Sequence, residues 1–405
     1  MDLPSFTAQT ANAIHSLHGY ENIPAIDIRA VISPYRICPL GAHIDHQGGP
    51  VLGRTINTGT VLAFAALKNL EIRLYSGHFG QISFPIGQMP DMQHWSRYAQ
   101  AAALAISRKF PLKHGFTGFV DGTLIGAGLS SSASVILAYL QALAQVNELS
   151  LSQDELIALE FWVEHDILGL QIGILDPATI VHGQADALLH IDTLSEKVTL
   201  ISDSATAQDW VWVVAYSGIS RQLLQSGYNN RVAECQEAAS LLRAGANRLS
   251  DVPRDMFLEH QQHLPEHLRR RARHFFGEVE RVYNGAQAWA ESDAEQFGVL
   301  MKQSCESSIR LYESGSPVLF DLHNIVSETA GVFGSRFSGG GYGGCVVGLA
   351  ERNSAEAVVQ EISEKFSAMH SELAEQAAVY VVEPAKGLHT LLPMGTPISN
   401  EKGEK

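Results

Sequence analysis

The sequence predicts an α+β protein of two domains. Its 405 residues exceed the usual size of a single domain. Apolar residues make up 45% of the chain, which is enough for real cores, and charged residues only 18%, which argues against disorder. Segments that alternate apolar and polar residues recur between segments with helical spacing, so strands and helices are both expected.

Composition restricts the class of protein and its partners. The formal net charge of −15 argues against a nucleic acid or an anionic membrane as partner, since either would call for a basic face. No apolar run reaches membrane-spanning length, and the first residues lack the pattern of a secretory signal. The four cysteines are scattered without CxxC spacing. We therefore expect a soluble cytoplasmic protein with neither a disulfide framework nor a zinc site.

The first domain is predicted to span residues 1–205. Strand patterns cover Ala25–Ile32, Gly59–Leu67, Glu71–Tyr75, Gln81–Pro85, Gly115–Leu124, Ala187–Ile191 and Val198–Ile201. Helical patterns cover Ser5–Gly19, Trp95–Phe110, the segment after Ser132, and Gln153–Gly169. Pro34–Gly49, which is dense in Arg, His and Asp, is expected to form a loop.

The second domain is predicted to span residues 206–405 and to follow a linker at Asp203–Asp209. The apolar segment Trp210–Tyr216 predicts its first strand. Helical patterns then cover Asn230–Ala246, Glu266–Trp289, Ala294–Ser304 and Ala355–Met369. A glycine loop that leads into a strand precedes the last of these helices, and a further strand is expected at Val379–Val382.

A run of small residues and hydroxyls leads directly into an apolar helical segment. It reads Gly126-Ala127-Gly128-Leu129-Ser130-Ser131-Ser132-Ala133-Ser134. Small residues let a backbone approach a ligand closely, and a helix start presents unpaired N–H groups and the positive end of the helix dipole. Phosphate is the usual occupant of such a site. Taken alone, this stretch is better explained as a Ser-rich N-cap on a core helix, and only the other motifs of the chain favour the anion site.

The later glycine loop formally matches GxGxxG. It reads Ser338-Gly339-Gly340-Gly341-Tyr342-Gly343-Gly344. A dinucleotide-binding loop should precede a helix, whereas a strand pattern follows here, so we reject that interpretation. A tight turn would need one or two glycines. Five within six residues favour a backbone that packs against a ligand or another loop.

Charged residues in the first domain could recognise a polyhydroxylated substrate. Asp45 can accept hydrogen bonds from sugar hydroxyls, and His43 can donate or accept them. Asp176 follows an apolar run and should be partly buried, so it needs a cation nearby. Arg36 could be that cation or an ordinary salt-bridge partner. An Asp–Arg pair beside a transferring phosphate would supply a base or orienting group and a charge stabiliser.

Taken together, these stretches resemble the three signature motifs of the GHMP small-molecule kinases, and specifically those of the galactokinase branch. The resemblance extends from about Pro34 to Gly344. It implies a GHMP kinase fold, in which an N-terminal domain like domain 2 of ribosomal protein S5 precedes a ferredoxin-like C-terminal domain. It also implies an active site between the two domains, with ATP as co-substrate and Mg²⁺ as cofactor.

The resemblance also implies roles for individual residues. The ATP phosphates would contact Gly126, Ala127, Gly128, Leu129, Ser130, Ser131, Ser132 and Ala133. Ser132 and Glu164 would ligate Mg²⁺, and Asp176 and Arg36 would be the catalytic pair. The sugar would contact Arg36, Ala42, His43, Asp45, Gly173, Asp176 and Tyr228. The third motif, Ser338, Gly339, Gly340 and Gly341, would abut the phosphate loop and the substrate.

One departure from the galactokinase pattern bears on the substrate. Galactokinases carry a glutamate that contacts the sugar's C6 hydroxyl at the position of Ala42. A substrate with its own carboxylate at C6 would require that glutamate to be absent, because two nearby carboxylates repel. The run Pro34–Gly49 also resembles that of the galacturonokinases, the uronic-acid members of the branch. Arg221 or His46 could then bind the C6 carboxylate.

These features predict an ATP-dependent sugar-1-kinase for galacturonic acid. Galactose and glucuronate remain alternative substrates, because an alanine excludes no hydroxymethyl group. A sugar-responsive regulator without turnover is a further alternative, although such relatives lose catalytic residues that are present here. We expect a monomer or homodimer with small-molecule partners only.

Overall fold

The computed structural model describes residues 3–220, 226–341 and 343–391, except for the side chains of residues 226 and 228. The helices are α1 Phe6–Glu21, α2 Arg97–Lys109, α3 Ser131–Val146, α4 Gln153–Trp162, α5 Leu175–His182, α6 Ser226–Leu242, α7 Arg254–His260, α8 Glu266–Ala290, α9 Ala294–Ser307, α10 Pro317–Glu328 and α11 Ala355–Met369. The strands are β1 Arg29–Leu40, β2 Val51–Leu67, β3 Glu71–Ser76, β4 Gly80–Pro85, β5 Gly115–Gly122, β6 Ala187–Asp192, β7 Lys197–Ser202, β8 Trp210–Tyr216, β9 Val332–Phe337, β10 Cys345–Glu351, β11 Ala378–Val382 and β12 His389–Leu391.

The first sheet is built around the long strand β2. Its main path runs β12-β1-β2-β5-β3-β4, and the start of β2 also pairs with β6, which pairs with β7. The β3–β5 pair is parallel and the other pairs are antiparallel. Helix α3 packs against β1 and β2, while α1 packs over β2 and β5. The sheet therefore places the end of β1 beside the start of α3.

The second sheet is antiparallel and has the order β11-β8-β10-β9. Helices α10 and α11 pack on one of its faces around a buried apolar cluster that includes Val213, Val346 and Ile362. Trp212 and Val347 belong instead to the main core, which also contains β1 and α3 residues. The two sheets therefore share one continuous apolar interior.

Pro34–Leu40, predicted as part of a loop, is strand in the structure. The strand tolerates two prolines because its register with β2 shifts between Pro34 and Tyr35 and again between Ile37 and Leu40. Residues 41–50 alone are irregular, with a short turn of helix at Asp45–Gln47. Charged residues in this segment made it look like a loop in the sequence. They occur in a strand because that strand borders a cleft that forms only in the folded protein.

Several other elements agree with their sequence patterns, and a few do not. α11 and β8 have the bounds that the patterns predicted. α5, α10 and β9 were not predicted, because each is short or begins at a proline. Among the described residues, none of the helices has both the length and the apolar character needed to cross a membrane.

Candidate active site

Arg36 on β1 is the point at which the three sequence motifs meet. Its side chain is 3% exposed, and its Nε lies 2.7 Å from Asp176 Oδ1 at the start of α5. Its Nη1 donates to the Gly128 carbonyl at 3.2 Å and to Ser338 Oγ at 3.4 Å. The Arg36 amide also donates to the carbonyl of Leu129. One buried guanidinium thus joins the Asp176 carboxylate to the glycine loop and to the run of small residues and hydroxyls at 126–134, called the serine loop below.

The serine loop has the backbone of an open helix start. Gly126, Gly128 and Ser130 all have positive φ angles, of 79°, 81° and 65°. Ser130 occupies the N-cap position of α3, yet its side chain makes no capping hydrogen bond. A helix that uses no side-chain cap leaves its first N–H groups available to an anion.

Glycines in the two loops permit close backbone contact. A Cβ on Gly128 would lie 2.7 Å from the carbonyl oxygen of Ser338, and one on Gly344 would lie 2.5 Å from that of Ala127. Ser338 Oγ also donates to the Gly128 carbonyl at 3.1 Å. The glycine loop therefore packs directly on the serine loop, which answers why it contains more glycine than a tight turn needs.

A cleft lies beside Arg36, and its volume is about 640 Å³ when the space open to solvent is included. Sequence-predicted residues on its wall are Arg36, Ala42, His43, Asp45, Ser132, Glu164, Gly173, Asp176, Gly339 and Gly340. Cys38, Leu170, Ile172, Leu175 and Arg336 also line it. Residues from β1, α3, α5 and β9 thus face one space. Arg221 and the side chain of Tyr228 lie outside the described residues.

His43 and His46 occupy different surroundings. His43 has a φ of 59° and lines the cleft, where its ring stacks on Tyr312 with centroids 4.5 Å apart. His46 Nε2 lies 3.1 Å from the Tyr312 hydroxyl. Burial lowers the pKa of His46 to about 3, so this ring is neutral at physiological pH. His46 does not line the cleft, and its neutral ring offers no charge to a carboxylate.

Asp45 is held against the backbone of Gly173. A Cβ on Gly173 would lie 2.5 Å from Asp45 Oδ2, so the absence of a side chain there makes room for the carboxylate. Burial raises the pKa of Asp45 to about 6, and the negative charge of Asp176 contributes to the rise. Two acidic groups on one wall favour ligands that donate hydrogen bonds.

Ser132 and Glu164 face the same cleft from α3 and from a π-helical turn, Val163–Ile167, that follows α4. Glu164 is 2% exposed. No group of three or more His, Cys, Asp or Glu side chains arranged for a metal occurs in the described part of the chain. A hydroxyl and a carboxylate suit a hard cation such as Mg²⁺, provided that phosphate oxygens and waters complete its shell. The donor set therefore fits Mg²⁺ bound together with a nucleotide.

Two charged residues of the site were not predicted from the sequence. Arg336 lines the cleft from β9, and Glu278 on α8 supports the wall behind it. Only the position of Arg336, two residues before Ser338, could have drawn attention to it. Nothing in the local sequence distinguishes Glu278 from the surface carboxylates of a charged helix.

Comparison with known protein families gives matches in both halves of the chain. The model of the GHMP kinase N-terminal domain matches residues 97–184, and the model of the GHMP kinase C-terminal domain matches residues 286–368.

Curated relatives match almost end to end. An Arabidopsis thaliana galacturonokinase is 37% identical over 377 residues, which cover 86% of this chain and 89% of that protein. A Roseiflexus galactokinase is 31% identical over 382 residues, which cover 92% of this chain and 95% of that protein.

Solved structures agree with the sequence matches. A Lactococcus lactis galactokinase in complex with galactose superposes with a TM-score of 0.86 at 26% identity, covering 95% of this chain and 99% of that one. Methanococcus jannaschii mevalonate kinase, at 18% identity, shares the fold with a TM-score of 0.66, covering 88% of this chain and 98% of that one. The predicted α+β GHMP kinase fold is thereby confirmed.

Proposed function

Because the chain belongs to the GHMP kinase family, we propose that it transfers the γ-phosphoryl group of ATP to the anomeric hydroxyl of D-galacturonate, giving galacturonate 1-phosphate and ADP. The observation that carries the choice of substrate is Ala42. Its small side chain lies on the cleft wall where galactokinases are expected to present a glutamate. The 37% identity with a galacturonokinase supports the same substrate.

The reaction is assigned to the Arg36–Asp176 pair. Asp176 would accept a hydrogen bond from the anomeric hydroxyl and take its proton as the new O–P bond forms, while the bond between the γ-phosphorus and the bridging oxygen breaks and ADP leaves. Arg36 lies between Asp176 and the serine loop, so its charge would offset the charge on the transferring phosphoryl group. Phosphoryl transfer depends mainly on positioning and charge neutralisation, and this pair supplies both.

The remaining roles are proposed from the resemblance to the family, and the residues that line the cleft support them in part. The open start of α3, with residues 126–133, would hold the ATP phosphates, and the glycine loop from Ser338 to Gly341 would close over them. Ser132 and Glu164 would hold Mg²⁺, whose charge would neutralise phosphate oxygens. Ala42, His43, Asp45, Gly173 and Tyr228 would contact the sugar.

Replacing Asp176 by Asn tests the catalytic assignment. Asp176→Asn keeps the size of the side chain but removes the proton acceptor, so kcat should fall by about 100-fold or more while sugar binding persists. ADP release measures the rate, and ³¹P NMR identifies the 1-phosphate as the wild-type product. Turnover near the wild-type rate in Asp176→Asn would contradict the assignment, as would a wild-type product phosphorylated elsewhere on the ring.

A further inference from the structure

Arg336 is 1% exposed and lines the same cleft as Cys38 and Ala42. Its Nε donates to the Phe337 carbonyl at 2.8 Å, and its Nη1 donates to Ser304 Oγ at 2.9 Å. These bonds fix the plane of the guanidinium. Among the described residues, no hydrogen bond from Nη2 is formed.

A buried carboxylate ties Arg336 to the backbone of Ala42. Glu278 Oε1 accepts from the Ala42 amide at 3.1 Å and from the Gly41 amide at 2.8 Å. The same oxygen accepts from Ser304 Oγ at 2.5 Å and lies 3.7 Å from Arg336 Nη1. Ala42 and Arg336 therefore lie against one oxygen atom, although 294 positions of sequence separate them.

This wall carries more positive than negative charge. Glu278 also accepts from Arg281 Nε at 2.6 Å, so two guanidinium groups face one carboxylate. Burial alone would raise the pKa of Glu278, but the charges of Arg281 and Arg336 help to lower it to about 2. His274 donates to the Ala42 carbonyl and is neutral, because burial lowers its pKa to about 4.

The carboxylates elsewhere in the cleft do not remove this excess. Asp176 is paired with Arg36, and Asp45 lies near Asp176 and Arg36. Glu164 lies at the end of the cleft assigned to phosphate and Mg²⁺, and no direct bond links it to Arg336 in the described part of the chain. A substrate carboxylate beside Ala42 would balance the second guanidinium of the wall, which a hydroxymethyl group could not do.

We propose that Arg336 is the residue that determines specificity for a uronic acid, donating from Nη2 to the substrate carboxylate in the space left open by Ala42. The proposal rests on the proposed function, since it names the contact that would select galacturonate. Glu278 acts as its positioning partner, because it holds both the guanidinium and the Ala42 backbone. Charge-assisted hydrogen bonds of this kind contribute more than neutral ones.

The test compares galacturonate with its neutral amide, D-galacturonamide, which has the same shape and no charge. Wild-type kcat/KM should favour galacturonate by about 10- to 100-fold. In Arg336→Gln that ratio should fall close to one, chiefly through a higher KM for galacturonate. Arg336→Lys, which keeps the charge, should retain part of the preference. Each measurement uses the full chain in an ADP-release assay.

Arg281→Gln is the matched control, because Arg281 contacts the same carboxylate but does not line the cleft. It should retain the larger part of the preference for galacturonate over the amide, because it removes one charge behind the wall but leaves the Arg336 donor in place. A wild-type enzyme that treats acid and amide alike, or an Arg336→Gln enzyme that still prefers the acid, would overturn the proposal. Neither result bears on the proposed function, which fails if the wild-type enzyme does not phosphorylate the anomeric hydroxyl of galacturonate or clearly prefers galactose.

Discussion

Ala42 has one of the smallest side chains on the wall of the cleft and is the residue on which the choice of substrate depends most. Its amide is held by Glu278 and its carbonyl by His274, so the backbone on either side of the side chain is fixed. A larger residue could not move away from the cleft. The identity of this one side chain therefore decides which group of the substrate can approach Arg336.

Restoring an acidic side chain at this position should reverse the preference. In Ala42→Glu the new carboxylate would lie near Arg336 and repel the carboxylate of galacturonate, so kcat/KM for galacturonate should fall by 100-fold or more, on the order of a few kcal/mol. Ala42→Gln adds a similar volume without charge and should cost less. An Ala42→Glu enzyme that still prefers galacturonate to galactose would contradict the account.

Asp45 shows a conflict between function and stability. Its folded-state pKa of about 6 is above the ordinary value of 3.8, so the folded protein binds this proton more tightly than the unfolded chain does. The contribution of Asp45 to the free energy of unfolding therefore falls as the pH rises from about 4 to 6. Above pH 6 the ionised carboxylate destabilises the folded state by its full amount.

Asp45→Asn should remove the penalty while weakening sugar binding. The free energy of unfolding should rise by about 1–3 kcal/mol at pH 8. The gain in the free energy of unfolding should shrink towards pH 5, where the Asp45 carboxyl is already protonated in most folded molecules. Urea denaturation at the two pH values measures both numbers. A loss of stability at both would show that the carboxylate is a net stabilising group.

For single residues, the sequence predicted a position in the cleft only where the residue belongs to a recognisable local motif. Arg36, Asp45 and Asp176 lie in stretches whose residue types already suggested chemistry, and the structure brings them together. Arg336 and Glu278 could not be assigned in this way. Their importance comes from a shared contact with Ala42, and only the folded chain places α8 and β9 beside the end of β1.

Among the elements, the two glycine-containing loops matter because their backbones touch. Each loop uses positive φ angles and missing side chains to bring carbonyl and amide groups within contact distance. The Ser338 amide donates to the Cys345 carbonyl, which closes the glycine loop at its base. The strand β10 thus begins directly behind the serine loop, and the two loops together position Arg36.

A methyl group at this contact should be costly. Gly344 has a φ of 94°, and a Cβ there would lie 2.5 Å from the Ala127 carbonyl oxygen. Gly344→Ala should lower the free energy of unfolding by about 2–4 kcal/mol and should also raise the KM for ATP. Gly77→Ala is the matched control, since no atom lies within 4 Å of its added Cβ. Equal stability of the two variants would contradict the proposed close packing.

Periodicity predicted long elements better than short ones. The apolar spacing of Ala355–Met369 gave the bounds of α11, because that helix has one buried and one exposed face. The end of β1 was mistaken for a loop, since two prolines and an arginine are unusual in a strand. Its bulges and the cleft beside it explain both features, and neither can be read from periodicity.

For the whole molecule, the predicted α+β class and GHMP kinase fold are confirmed, and we propose that the division of the chain falls between residues 205 and 206. β8 opens the second sheet just after this point. Hydrogen bonds hold the chain in place where it passes from the first half to the second, because Arg54 and Trp289 both donate to Asp203. Near the end of the described chain β12 returns to pair with β1, so the first sheet also contains a late strand.

Such long-range pairing determines how the two halves of the chain fit together, which length and composition could not predict. They predicted two domains, but they could not show that the apolar interior is continuous between the two sheets or that the cleft takes residues from both halves. Arg36 and Ser338 contact one another across 302 positions. The active site is therefore a property of the assembled fold, and each half contributes groups that the other lacks.

The most direct test of the account is the substrate preference of the wild-type chain. ADP release with ATP and Mg²⁺ should be measured against galacturonate, glucuronate and galactose at matched concentrations. We predict the highest kcat/KM with galacturonate, because Ala42 leaves room for a carboxylate and we propose that Arg336 binds it while Asp45 contacts the ring hydroxyls. A clear preference for galactose would contradict the central claim.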